Sequence, residues 1–234
     1  LFDDYRAAVE LWPQVRSSQL PNLNIFDRVP LLNNFDPLRP GSYETYMNLI
    51  ADHPTSAAAL LQAAGVDRVF TNVGSTRPVE PTGRRAWVVG AACWHREQDS
   101  LIAGLLSQDW QPERQVHLQG EGECPVLADE PAVGRVLTLE DSGGTLSIAL
   151  QVEQAGWLVL ADTYYPGWTV EINGRAGTIE QANLMMRAVA VTPDTRSVRF
   201  VYQPSWLLPG VLISGLGLLI LLLLFQTGIA ANQR

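Results

Sequence analysis

The stretch DSGGTLSIALQV, Asp141 to Val152, decides the fold. Asp141 to Gly144 has the chemistry of a turn, and Leu146, Ile148, Leu150 and Val152 then alternate with small or polar neighbours. A period of two marks a strand with one face in a core. The same alternation runs through Leu137 and Leu139 before the turn. After it come Trp168, Val170 and Ile172, and then Val198, Phe200 and Tyr202. Asn173-Gly174 suits the tight hairpin whose two central residues take positive φ. About seven short strands between Val133 and Tyr202 predict an antiparallel sandwich.

Working outward, the N-terminal side reads as mixed. Phe2, Tyr5, Val9 and Trp12 fall at helical spacing, and Pro13 ends that pattern. A loop rich in Pro and Asn follows, from Pro21 to Pro40. Ser42 is placed to cap a short helix through Asn48. Ser56 is placed to cap another from Ala57 to Ala64, with Gly65 as its stop. Val66 to Thr71 reads as a strand, and Gly74 to Gly83 as a Pro/Gly loop that could bound a subdomain. A strand at Ala86 to Val89, a helix near Glu97 to Leu106 and a strand at Gln115 to Leu118 make a small β-α-β unit. Gly120 to Pro131, rich in Gly, Glu and Pro, reads as a linker.

On the C-terminal side, Trp206 to Phe225 carries no charge, and ten of its positions are Leu. Twenty helical residues span roughly 30 Å, the thickness of a bilayer's hydrocarbon core. Leu, Ile, Val and Phe each gain roughly 0.3–0.6 kcal/mol near the centre of an inserted helix. Tyr202 and Trp206 stand where interfacial aromatics are expected. Only Gln203, Pro204 and Ser205 separate the last strand from this run, which would stand the sandwich on the bilayer surface. The fold class expected is therefore α+β: a small mixed α/β N-terminal part, an antiparallel β-sandwich and one C-terminal transmembrane helix. Its units are residues 1–75, 84–120, 132–204 and 206–225.

Composition bounds the function. The 234 residues are 47% hydrophobic, enough for a real core, and carry a net charge of −8. An acidic domain repels phosphate backbones, so nucleic acid is excluded as a partner. All the Lys+Arg total is Arg, a bias with no physical account. The start at Leu1 and the lack of a targeting segment are read as a fragment of a longer protein. Arg187, Arg196 and Arg199 precede the apolar run and only Arg234 follows it. Counted naively, that places the large domain in the cytoplasm, but the rule fails for long translocated domains.

Two cysteines, Cys93 and Cys124, admit two readings. One is a disulfide closing a loop of about thirty residues, worth roughly 3–4 kcal/mol and restricted to oxidising compartments. The other is a pair of isolated buried thiols. Cys93, His95, His117 and Cys124 could also be imagined as a zinc set, but their spacing matches no close-paired ligand pattern. No metal or other cofactor is therefore expected.

Local catalytic signatures are missing from the sequence: there is no paired-His zinc helix, no Gly-x-Ser-x-Gly elbow, no phosphate loop and no dinucleotide fingerprint. Nothing pairs two acidic residues for acid/base work. One cluster stands out, Asp162, Thr163, Tyr164, Tyr165, Pro166, Gly167 and Trp168. Asp162, Tyr164, Tyr165 and Trp168 are the candidate substrate-binding residues, since aromatic faces stack on sugars and a carboxylate bonds hydroxyls. The competing and favoured account is a turn at Pro166-Gly167 whose aromatics pack the corner of the sandwich.

The segment LVLADTYYPGWTVEINGRAGTIEQAN, Leu158 to Asn183, resembles the C-terminal region of the bacterial YfhO family of membrane proteins. The shared pattern is a hydrophobic strand, an aromatic-Pro-Gly-Trp turn, a strand, an Asx-Gly hairpin, and a closing strand ending in Tyr-x-Pro, here Tyr202, Gln203 and Pro204. RRAWVVG (Arg84 to Gly90) is similar to the family's strand after its Pro-Arg step, with Arg84 in place of Pro. LLQAAGVDRVF (Leu60 to Phe70) and LLNNFDPLRPGSYETYMNLI (Leu31 to Ile50) resemble its helix-strand element and the loop before that. The resemblance implies a polytopic glycosyltransferase of the GT-C type. Such an enzyme takes a sugar from a polyprenyl-phosphate carrier and attaches it to a cell-envelope polymer outside the membrane. The family's catalytic acidic residue is expected in an early loop upstream of Leu1, so no catalytic residue carries over. The expected partners are the lipid bilayer and, through the parent protein, the polyprenyl-phosphate sugar and an envelope glycan. The alternative is a non-enzymatic, membrane-anchored module that binds glycan or assists assembly.

Overall fold

The computed structural model describes residues 31–32, 39–72, 75–80, 83–125 and 133–232. The helix read over residues 2–12 lies outside them. Helix α1 (Gly41–Asp52) has Pro40 at its cap position, so Ser42 lies inside the helix rather than capping it and the helix runs past Asn48; α2 (Ala57–Ala63) follows. Ser56 does not cap α2 through its side chain. Its Oγ donates instead to Leu106 O at 3.1 Å, tying α2 to a distant helix end. Gly65 ends α2 with φ +72°, a conformation that glycine takes without a Cβ penalty.

Strands β1 (Arg68–Asn72) and β2 (Ser75–Pro78) form an antiparallel hairpin. The loop expected over 74–83 is thus corrected. All four β2 residues are exposed, so no apolar alternation marks them, and backbone pairing with β1 makes the strand, with Arg68 Nη1 donating to Thr76 Oγ1 across it at 3.3 Å. Next come β3 (Ala86–Val89), β4 (Ala91–His95), α3 (Gln98–Leu105) and β5 (Gln115–Gln119). Strands β4 and β5 lie parallel with α3 as their crossover. The remaining strands are β6 (Gly134–Asp141), β7 (Thr145–Val152), β8 (Gly156–Leu160), β9 (Trp168–Ile172), β10 (Arg175–Ala176), β11 (Glu180–Ala182), β12 (Met186–Val191) and β13 (Ser197–Tyr202). Helix α4 (Leu207–Asn232) ends the description.

Two large sheets result. The five-stranded sheet has the order β10-β9-β13-β7-β6, and the six-stranded sheet the order β3-β8-β12-β11-β5-β4. Strands read as a separate β-α-β unit therefore share one sheet with strands read as sandwich. Alternation along the six-stranded sheet feeds two cores. Trp87, Val89, Val159, Met186 and Ala188 join α1, α2 and α3 in the first. Ala86, Val88, Leu158, Leu160, Val189 and Val191 meet Leu146, Ile148, Leu150, Val170, Val198 and Phe200 in the second.

The Asn173-Gly174 turn has φ of 50° and 76°, as the hairpin chemistry requires. Leu137 is the exception to the alternation, at 53% exposed. The β6–β7 register shifts between Val136 and Thr138, and this bulge turns Leu137 outward while Val136 and Leu139 pack on the second core.

Beyond Tyr202 the chain enters α4 within a few residues. Every residue from 205 to 221 is exposed, and the side chains of α4 are described only to Leu221. Among the described residues no helix is long and apolar enough to cross a membrane, so the span read over 206–225 is not established by them.

Phe200 is fully buried between the sheets. Phe200→Ala should cost about 3–5 kcal/mol in denaturant unfolding, whereas Leu137→Ser, at the outward bulge, should stay within about 0.5 kcal/mol. Equal losses would overturn the assigned facing of β6.

Candidate functional site

Strand β8 ends at Leu160, and Ala161 N still donates to Arg85 O at 2.8 Å. The chain then leaves the six-stranded sheet through Asp162 to Gly167 and enters the five-stranded one as β9. Gly167 has φ +101°, and a Cβ there would stand 3.0 Å from the Tyr202 ring and 3.1 Å from the Pro204 backbone. Gln203 N donates to Gly167 O at 2.6 Å. The Pro166-Gly167 turn and the Tyr202-Gln203-Pro204 ending are therefore two halves of one contact, although they are far apart in the chain, as are Thr169 and Val201 beside them at 32 positions. The Trp168 and Tyr202 rings lie 5.3 Å apart.

Asp162 is the centre of an ion-pair network. Arg85 grips it with two parallel bonds, Nε to Oδ1 and Nη2 to Oδ2, each 2.9 Å. The same Arg85 Nη2 donates to Asp141 Oδ2 at 2.7 Å. Arg187 Nη2 donates to Asp162 Oδ2 at 3.2 Å. The Arg187 side chain is only 3% exposed and its guanidinium lies 4.1 Å from the Trp168 ring centroid. Arg187 Nη1 is buried without a hydrogen-bond partner among the described residues. Two arginines and two aspartates balance, and they join β6 of one sheet to β12 of the other.

The electrostatics follow from this placement. The hydrogen bond to Asp162 holds the Arg85 guanidinium above its ordinary value. The hydrogen bond from Arg85 holds the Asp141 carboxyl below its own. Burial pulls Arg187 down to about 10, opposed by the charge of Asp162. It remains a cation at neutral pH.

Of the four residues read from the sequence, Asp162 and Trp168 are brought together through Arg187. Tyr165 presents its ring to solvent at 47% exposed. Tyr164 is half-buried, and its backbone N donates to Met185 O at 2.6 Å. Neither Arg85 nor Arg187 is read from the sequence as a site residue. A signal for Arg187 exists: it holds an inward position of β12, in step with Val189 and Val191, where an unpaired charge is costly.

A second polar cluster lies at the other large sheet's β4 edge. Cys93 and Cys124 form a disulfide, which decides between the two cysteine readings. His95 Nε2 stands 2.8 Å from His117 Nδ1, and His95 Nδ1 stands 3.1 Å from Ser100 Oγ. Cys93, His95 and His117 thus meet, within 4.8 Å between ligand atoms, although their spacing had argued against a common site. Parallel pairing of β4 with β5, which places Cys93 opposite His117, is what local spacing could not reveal. Burial, with the neighbouring His95 adding to it, pulls the His117 imidazole down to about 4. Burial also lowers His95.

The family model described as "Bacterial membrane protein YfhO" matches residues 134–214, which run from the start of β6 into α4. Residues 134–214 belong to the YfhO family. The match takes in the aromatic turn, Asp162, Arg187, the closing Tyr202-Gln203-Pro204 and the first turns of α4. Arg85 and the Cys/His cluster lie N-terminal to the matched region. No curated protein and no solved structure matches the chain.

Removing Asp162 would leave Arg187 buried and unpaired. Asp162→Ala should destabilise the chain by about 3–5 kcal/mol, while Tyr165→Ala should leave the thermal midpoint unchanged. Thermal melts of both variants check this; a normal melt for Asp162→Ala would remove the ion-pair network from the fold's support.

A pH dependence follows from His117, which is 3% exposed. Its folded value, about 4, lies below the ordinary 6.5, so the unfolded chain binds more protons between the two. Stability should be full above about pH 6.5 and fall as the pH drops. The loss should level off below about pH 4, after up to about 3 kcal/mol. Urea unfolding across that range should show the slope, and His117→Gln should flatten it.

Proposed function

We propose that this chain is the extracytoplasmic C-terminal domain, with the last membrane helix, of a polytopic YfhO-like protein. The parent protein is read as a glycosyltransferase that uses a polyprenyl-phosphate sugar to modify a cell-envelope polymer. The chain itself is non-catalytic: its part is to cover the membrane-embedded active site and help position the acceptor.

The observation that carries the reading is α4. It leaves a YfhO-type sheet at once and exposes apolar side chains on every side, with Leu212 at 64%, Ile213 at 71% and Leu216 at 59%. A helix that is apolar all round belongs in a protein core or in lipid. No described element packs on it. The uncharged run from Trp206 to Phe225 in the sequence continues past Leu221, where the described side chains of α4 stop, and at twenty helical residues would extend roughly 30 Å. The disulfide supports the outward orientation, because such bonds persist in oxidising compartments. The ion pairs that occupy Asp162 support a structural role for the aromatic turn over a sugar site.

Ser142 lies exposed on the β6–β7 turn. In cells expressing the full-length parent gene, Ser142→Cys should react with a membrane-impermeant maleimide without lysis. The unsubstituted protein, its own cysteines bonded, gives the background. Labelling only after lysis would reverse the orientation. Release of the protein by alkaline carbonate would reject membrane integration altogether.

A further inference from the structure

Strands β4 and β5 set Cys93 opposite His117 and His95 opposite Gln119. Side chains alternate along a strand, so Cys93, His95 and His117 leave one face while Trp94 and Leu118 leave the other. Cys124 is exposed and bonded to buried Cys93. Its segment is laid along the β4 edge: Trp94 N donates to Glu123 O at 3.2 Å, and Gly120 N donates to His95 O at 2.8 Å. Cys93 and the two imidazoles therefore meet within 4.8 Å at a sheet edge, and Cys124, bonded to Cys93, approaches it from the exposed side.

The protons can be placed. Ser100 Oγ donates to Glu97 O, so it accepts from His95 Nδ1–H. His95 Nε2 is then a lone pair, and it accepts from His117 Nδ1–H. His117 Nε2 is left as a buried lone pair, with no partner among the described residues. An unpaired buried acceptor is costly to keep. Each ring thus carries one lone pair, and His95 already has the outer N–H···O bond that orients metal-binding histidines.

We propose that reduction of the Cys93–Cys124 disulfide opens a four-ligand site for one zinc-like divalent ion, made by Cys93, Cys124, His95 and His117. A phosphine or dithiol supplies two electrons to the S–S bond, is itself oxidised, and two thiols form with two protons from water. Metal binding expels those two protons. The product is a divalent ion held by two thiolates and two neutral imidazoles, with no net charge. Two nitrogen ligands at about 2.0–2.1 Å from a tetrahedral ion stand about 3.3 Å apart; His95 Nε2 and His117 Nδ1 are now 2.8 Å apart, and Nδ1 becomes a ligand once its proton moves to Nε2 of the same ring. Helix α3 backs the pair at Gly104, where a Cβ would fall 2.5 Å from the His117 ring. The site rests on residues outside the YfhO match and stands apart from the membrane reading.

The test uses the whole chain in detergent. After phosphine reduction, Co²⁺ should give the visible bands of a tetrahedral ion and a thiolate charge-transfer band in the near ultraviolet. Both should saturate at one equivalent and vanish on adding Zn²⁺. The oxidised chain should give neither. His95→Gln/His117→Gln should weaken binding at least about tenfold and change the visible bands. Cys93→Ser/Cys124→Ser should remove the charge-transfer band. Zn²⁺ should also raise the melting temperature of the reduced chain by several degrees and leave that of the oxidised chain unchanged, which covers the case where reduction loosens the fold. Absence of the cobalt bands, no thermal gain from Zn²⁺, or bands indifferent to the histidine pair would each overturn the proposal.

Discussion

Strand β13 is the constraint on which the rest depends. It lies in the middle of the five-stranded sheet, hydrogen-bonded to β7 on one side and β9 on the other. Its inward residues Val198 and Phe200 are fully buried. A central strand cannot slip by one residue without turning its whole apolar set to solvent. Fixing β13 therefore fixes where Tyr202, Gln203 and Pro204 sit, and these residues carry the Pro166-Gly167 turn on their backbone. The same strand end sets the starting point of α4, with Leu207 N donating to Pro204 O at 3.1 Å. One register thus governs the sheet, the aromatic turn and the departure of the apolar helix. The family match covers that assembly from β6 onward.

Arg187 is the feature that a simple apolar core would lack. Its position in β12 pairs with Leu160, and the ring faces of Trp168 and Phe200 lie against it. Replacing such a group by an apolar one of similar volume is often neutral or stabilising, so the charge is not there for stability alone. What it adds is direction. Asp162 leaves the end of β8, and only one placement of that loop lets its carboxylate meet both Arg187 and Arg85. The network fixes the loop's course before the turn at Gly167, and through it the angle at which β9 enters the sheet. The half-buried Trp168 ring lies against both the guanidinium and the Tyr202 ring, which accounts for an aromatic beside a turn that otherwise runs over the surface.

The sequence was legible where one residue's partners lie near it in the chain or repeat with a fixed period. Leu146 to Val152 read correctly as an inward face, the Asn173-Gly174 turn declared its own backbone angles, and Gly65 announced the end of α2. Leu137 misled because a bulge changes the period without changing composition. Strand β2 was invisible because its side chains are all exposed and its stability comes from a partner strand. The division of 84–120 from 132–204 followed composition, while hydrogen bonding places β3, β5, β8 and β12 in one sheet. Long-range pairs were the least legible: Arg85 with Asp162, and Cys93 with His117, meet only because strands distant in sequence are neighbours in the sheet.

The proposed orientation sets two arguments against each other. Basic residues flank α4 mainly on the domain side, Arg187, Arg196 and Arg199 against Arg234. That count favours a cytoplasmic domain only if those charges are free to interact with the membrane surface during insertion, within about 15–20 residues of the helix. Arg187 is not free in the folded domain, since it is buried against Trp168 and paired with Asp162. Arg199 is paired with Glu171 at 3.4 Å, an exposed contact of little energy but of opposite charge. Arg196 Nη1 is turned onto backbone carbonyls of Pro193 and Thr195. The rule is in any case weakest for a large domain, which translocates largely regardless of its charge. The disulfide weighs the other way with a chemical reason: in a reducing compartment Cys93 and Cys124 would be held as thiols. Of the two, the covalent bond constrains the compartment more than the three charges do, which is why the proposal puts the domain outside.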